Sequence, residues 1–145
     1  MGNRTDAGRY INQISNRLKR HSHKVQKNLG LTTAQENILR YILLEGQEGN
    51  LYQKDVEREF DLRPSTATEL LRTLEKKGLI CRVSDEHDAR YKVLRVTPKA
   101  AEMKEAVEEE IDELESTLIK GISEQDLEIF KKTAEKMLEN LSEHQ

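Results

Sequence analysis

Cysteine, tryptophan and long apolar runs are scarce or missing in this chain of 145 residues. Its one cysteine, Cys81, cannot close an internal disulfide, which fits a reducing compartment. No run of roughly 18 apolar residues occurs, so no membrane partner is expected. Met1-Gly2-Asn3-Arg4-Thr5-Asp6 has no apolar signal-peptide core, and Asp6 stands where a myristoylation signal favours Ser or Thr. A cytoplasmic location is the expectation. With no Trp, two Phe and 35% hydrophobic residues, a monomer would have a thin core, which favours burial in an oligomer.

Catalytic patterns are missing too. The chain has no G-x-S-x-G, no Gly-rich phosphate loop and no H-E-x-x-H, so neither an enzyme nor a cofactor is expected. Acidic runs such as Glu108-Glu109-Glu110 suit solvated helix surface. His21 and His23, two apart on a helix, face different directions and cannot share a metal. His87 and His144 have no partner at ligand spacing, so no metal site is expected.

The most informative stretch runs from Leu62 to Ile80. Pro64 suits a first helical position, where its missing N–H costs nothing. Gly78 after Lys76 and Lys77 suits a left-handed cap with cations at the negative end of the dipole. Ala67, Leu70, Leu71 and Leu74 recur at helical spacing and form one inward stripe. The opposite face carries Ser65, Glu69, Arg72 and Lys76, flanked by Thr68 and Thr73. Short hydroxyls and an arginine suit base edges and phosphates in a major groove, although any solvated helix can show such a face.

The surroundings add weight. Leu51, Val56, Phe60 and Leu62 mark a short helix from about Tyr52 to Phe60, and Asp61-Leu62-Arg63 has the length of a helix-turn-helix connection. Leu79–Val83 and Tyr91–Val96 are β-branched-rich strands around the polar run Ser84–Arg90. Helix, turn, helix and a charged hairpin is the order of a winged helix-turn-helix.

Glu75-Lys76-Lys77-Gly78-Leu79-Ile80 resembles the end of the recognition helix in MarR-family regulators (multiple antibiotic resistance regulators), and Asp88-x-Arg90 with Val96-Thr97 resembles that family's wing and its exit. The resemblance covers nearly the whole chain. Ala100 stands where the family often has Gly, and Tyr52 where Ser or Thr often caps a helix; Asn50 is the substitute cap. Sensing thiols in this family belong to the leading helix, so Cys81 in a wing strand is expected to be buried and structural.

Flanking helices complete the plan. A first helix is expected from about Ala7 to Leu29, striped by Ile11, Ile14, Leu18, Val25 and Leu29. Thr33-Ala34-Gln35-Glu36 reads as a capping box for a second, with Ile38, Leu39, Ile42 and Leu43 inward. Thr97-Pro98 begins one long helix striped by Met103, Val107, Ile111, Leu114 and Leu118, ended by Gly121. Ser123 starts the last, striped by Leu127, Phe130, Ala134, Leu138 and Leu141. The fold class is mainly α with a small β-hairpin wing: a winged helix-turn-helix plus a helical dimerisation region. Residues 1–31 and 98–145 are the expected dimerisation helices, and 32–97 the DNA-binding domain.

Net charge is −3, but it is unevenly spread. Residues 101–145 hold fourteen acids and five bases, and Arg63–Arg95 hold eight bases and five acids. A basic reading segment joined to acidic helix surface fits a DNA binder. The resemblance implies a homodimeric repressor on an inverted-repeat operator in double-stranded DNA. The residues expected at the interface are Pro64, Ser65, Thr66, Thr68, Glu69, Arg72 and Lys76 on the helix, with Asp88, Arg90 and Lys92 in the wing. The resemblance also implies a small-molecule effector between the dimer helices and the winged domain. Tyr10, His21 and Tyr41 lie near that expected crevice, and no ligand set is assigned. A winged helix that docks proteins instead is the competing expectation.

Overall fold

The computed structural model describes residues 4–21, 29–46 and 49–142. In chain order the elements are α1 (Ala7–Arg20), α2 (Thr33–Glu45), β1 (Leu51–Tyr52), α3 (Gln53–Glu59), α4 (Pro64–Lys76), β2 (Ile80–Ser84), β3 (Lys92–Val96), α5 (Pro98–Ala101), α6 (Lys104–Leu118) and α7 (Glu124–Ser142). Two compact units divide the chain, residues 1–110 and 111–145.

In the first unit α4 touches α2, α3 and β2. Its inward stripe is Ala67, Leu71 and Leu74, all fully buried, with Leu70 half-buried. Ile38, Leu39, Ile42 and Leu43 of α2 and Val56 of α3 are buried with them. Each fully buried Leu, Ile or Val among them contributes about 1.5–3 kcal/mol of burial. The sheet closes this core in the order β1-β3-β2, entirely antiparallel, with Leu51 opposite Leu94 and Arg82 opposite Leu94 on the other side. The two-residue β1 was not visible in the sequence, because a strand that short carries no alternation.

Helix ends follow local chemistry. After α3, Asp61 takes φ 52 and lets the Leu62 N–H donate back to the Glu57 carbonyl at 2.8 Å. Aspartate tolerates this left-handed conformation better than most residues. After α4, Gly78 takes φ +72, and the N–H groups of Gly78 and Leu79 donate to the Glu75 and Leu74 carbonyls at 2.9 and 3.0 Å. This double closure, with Leu74 and Leu79 both buried, turns the chain straight into β2.

Several local expectations need correction. The capping box of α2 sits one residue earlier: the Thr32 hydroxyl accepts from the Gln35 N–H, and the Gln35 side chain accepts from the Thr32 N–H. Asn50 does not cap α3. Tyr52 holds that position, its N–H donating to the Asp55 carboxylate at 2.8 Å. The long helix after Thr97 is interrupted, because the Met103 N–H bonds Ala100 three residues back and tightens one turn between α5 and α6. Cys81 is exposed, since alternation in β2 turns the buried Ile80 inward and the next residue out. α1 is described to Arg20, and its expected continuation to Leu29 falls largely on residues 22–28, outside the described residues.

Within the second unit α7 begins with the Ser123 hydroxyl accepting from the Asp126 N–H at 3.1 Å. None of its residues is buried. Phe130, Leu138 and Leu141 of its apolar stripe are 63%, 66% and 67% exposed.

Candidate nucleic-acid interface

Packing of Ala67, Leu71 and Leu74 against the core fixes which face of α4 looks outward. Pro64, Ser65, Thr66, Glu69, Arg72 and Lys76 are all exposed on this helix. Thr68 is different: it is half-buried, its hydroxyl donates to the Pro64 carbonyl at 2.8 Å and accepts from the Gln53 amide at 2.9 Å. A hydroxyl committed in both directions braces the helix start and has little left for a base edge.

Gln53 is the junction behind that helix. Its amide nitrogen also reaches Glu57 at 3.1 Å and the Pro64 carbonyl at 3.3 Å, while its oxygen accepts from Arg82 at 3.3 Å. Arg82 lies on β2 and pairs with Glu75 of α4 at 2.8 Å through both Nε and a terminal nitrogen. One amide and one guanidinium thus tie α3, α4 and the wing strand together. Spacing could not reveal this, because Gln53 and Thr68 are fifteen residues apart on different helices.

The wing is organised by two aspartates. Both Asp85 oxygens are occupied: one accepts from the Tyr52 hydroxyl at 2.8 Å and from Asn50 at 3.3 Å, the other from the His87 and Asp88 N–H groups at 3.1 Å. The Tyr52 hydroxyl first, then those amides, hold its carboxyl below the ordinary aspartate range. Asn50 in turn accepts from Arg95 of β3 at 3.0 Å. The polar run Ser84–Arg90 signalled a turn, but not that Asp85 would anchor it to Tyr52.

Asp88 accepts a forked pair from Arg90, Nε at 3.0 Å and a terminal nitrogen at 2.8 Å, and also its backbone N–H at 3.1 Å. The guanidinium first and the backbone amide second depress the Asp88 carboxyl, while the same contact raises Arg90. The Arg90 side chain nevertheless stays 85% exposed. Such a fork fixes the guanidinium plane and leaves its outer edge available. Lys92 is exposed at the base of the wing and donates to Ser84 at 2.9 Å. The ten expected residues therefore group as one exposed helix face, one internal brace (Thr68) and one ordered wing.

A sequence model of the MarR family matches residues 29–90. The transcription regulator MarR from Oenococcus oeni PSU-1 is similar in structure with a TM-score of 0.80 and 30% identity, covering 92% of this chain and 99% of that one. The chain belongs to the MarR family. S. aureus MepR in its DNA-binding conformation gives a TM-score of 0.82, and the S. aureus MepR–DNA complex 0.75, each at 30% identity over 92% of this chain and 97% of the other. A search of curated protein sequences gives no match. The MarR sequence match ends at the wing tip, whereas the structural matches run over more than nine-tenths of the chain. Among the described residues no group of three His, Cys, Asp or Glu side chains is placed to hold a metal, and no helix is long and apolar enough to cross a membrane.

Proposed function

We propose that this MarR-family chain is a cytoplasmic transcriptional regulator that binds double-stranded DNA as a homodimer, with no catalytic role. α4 enters a major groove and presents Ser65, Thr66, Glu69 and Arg72 to base edges, with Pro64 and Lys76 at the flanking backbone. Arg90, held by Asp88, reaches a phosphate or the adjacent minor groove, whose negative potential favours a cation. Lys92 contacts the backbone, and Thr68 acts by holding the start of α4. The observation that carries this reading is the forked Asp88–Arg90 pair on an otherwise exposed wing, beside an exposed polar helix face. The S. aureus MepR complex with DNA supports it by similarity.

Residues 1–31 and 98–145 serve as dimerisation helices around the reading domain 32–97. Exposed Tyr10, Ile11 and Ile14 of α1, and Phe130, Leu138 and Leu141 of α7, support a partner copy. Two-fold symmetry then asks for inverted half-sites about one helical turn apart. A small-molecule effector that alters DNA binding completes the proposal. Docking of a protein partner is disfavoured, because the wing tip from Ser84 to Arg90 has no apolar side chain beyond Ala89.

Electrophoretic retardation of a mixed-sequence duplex across a salt series tests the DNA reading. Arg90→Ala should weaken binding to every sequence and lower the salt slope by about one ion. Unchanged affinity and slope would remove the wing arginine from the interface.

A further inference from the structure

Between the start of α3 and the wing lies an open groove of about 170 Å³, lined by Tyr52, Gln53, Lys54, Arg82, Arg90, Tyr91 and Lys92. Four of these seven side chains are cationic and none is acidic. Two of the cations are already paired, Arg82 with Glu75 and Arg90 with Asp88. The other two differ. Lys92 bonds the neutral Ser84 hydroxyl, and the Lys54 ammonium stands over the Tyr91 ring, 5.4 Å from its centroid. Among the described residues neither lysine has a carboxylate within ion-pair distance. Asp55, which lines the adjoining recess beside Lys54, is engaged by the Tyr52 N–H and by Arg58 at 3.7 Å.

We infer that this groove is a phosphodiester subsite in which Lys54, held by Tyr91, and Lys92 clamp the DNA strand that passes between the start of α3 and the wing. The inference rests on the DNA-binding reading and adds Lys54 and Tyr91 to it. An ammonium over an aromatic face keeps its charge while losing much of its side-chain freedom. Lys54 therefore reaches a phosphate with less ordering cost than a freely rotating surface lysine. Tyr91 is itself set by an edge contact with Tyr52, ring centroids 6.2 Å apart, and Tyr52 is fixed by Asp85. Lys54 is a charge contact and Tyr91 a positioning residue. Neither reads sequence.

The test compares the wild-type chain, Lys54→Gln, Lys54→Arg, Tyr91→Leu and Tyr91→Phe on a mixed-sequence duplex between about 50 and 200 mM salt, the interval over which one phosphate contact is worth about 3.5-fold in affinity. Lys54→Gln should flatten the salt response by that factor, and Lys54→Arg should restore it. Tyr91→Leu should cost part of the same slope, and Tyr91→Phe should cost none, since the ring is retained. Lys54 is exposed, so its loss leaves the core intact. A wild-type slope in Lys54→Gln overturns the subsite while leaving DNA binding through α4 standing. A wild-type chain that fails to retard duplex removes the DNA reading itself. Inorganic phosphate alone is the second arm: saturable phosphate binding lost in Lys54→Gln, with an unchanged duplex slope, would assign the groove to a free anion and overturn the strand contact.

Discussion

α4 and α7 carry apolar stripes of similar spacing and meet opposite fates. In α4, Ala67, Leu71 and Leu74 are completely covered by α2, α3 and the sheet of the same chain. In α7, Phe130, Leu138 and Leu141 remain mostly exposed. Periodicity therefore says that a face must be covered and does not say by which molecule. The first stripe belongs to the folding of one chain, the second to its proposed assembly.

Charging α7 breaks this comparison most severely. Leu138→Glu should abolish dimerisation and with it tight binding to an inverted repeat, while every proposed DNA-facing residue stays in place; sedimentation and retardation assays read both losses. A variant that remains dimeric would show that the exposed stripe is not the interface. Leu74→Ala probes the other stripe and should cost about 2–5 kcal/mol of stability through lost burial and a residual cavity, measured by urea unfolding.

Smaller effects separate the outward face of α4 from the wing. Arg72→Ala should lose roughly 1–3 kcal/mol on a preferred operator and relax one base position, whereas Arg90→Ala should weaken all sequences alike. Equal losses from Arg72→Ala on every duplex would make it a backbone contact.

Acid should distinguish the wing from α2. Asp85 and Asp88 have lowered folded pKa values, so their contribution is present above the ordinary carboxylate range of about 4 and is lost as pH falls through the depressed values. Glu36 of α2 has the opposite sign: burial first, then the Glu110 charge, raises its carboxyl, so acidification relieves a cost there. The His87 and Asp88 amides, both donors to Asp85, should lose protection from exchange as acid is added. Asp85→Asn should remove that pH response, and a response that persists would place its origin elsewhere.

Legibility in the sequence tracked the range of the interaction. Pro64, Gly78 and the Ala67–Leu74 stripe act within one helix, so their signals lie within a few residues and mark α4 almost to its ends. The wing's polar tip was equally local. The bracing of Thr68 by Gln53, the anchoring of Asp85 by Tyr52, and the Arg82–Glu75 pair were not legible, because each joins residues that only packing brings together. Thr68 shows the consequence: as a hydroxyl on the outward arc it resembled a base-reading residue, yet the fold commits it to the start of α4.

The sequence by itself determined α2, α3, α4 and α7 as helices, the inward faces of α2 and α4, and the hairpin, because short-range hydrogen bonding and hydrophobic periodicity are written in neighbouring residues; its motifs resembled the family. Tertiary structure alone decided which polar groups those elements leave exposed and which they consume. It turned Cys81 outward, built a third strand from Leu51 and Tyr52, split the helix after Thr97, and set Lys54 on Tyr91 at the mouth of a cationic groove. Such outcomes depend on side chains far apart in sequence meeting in one place.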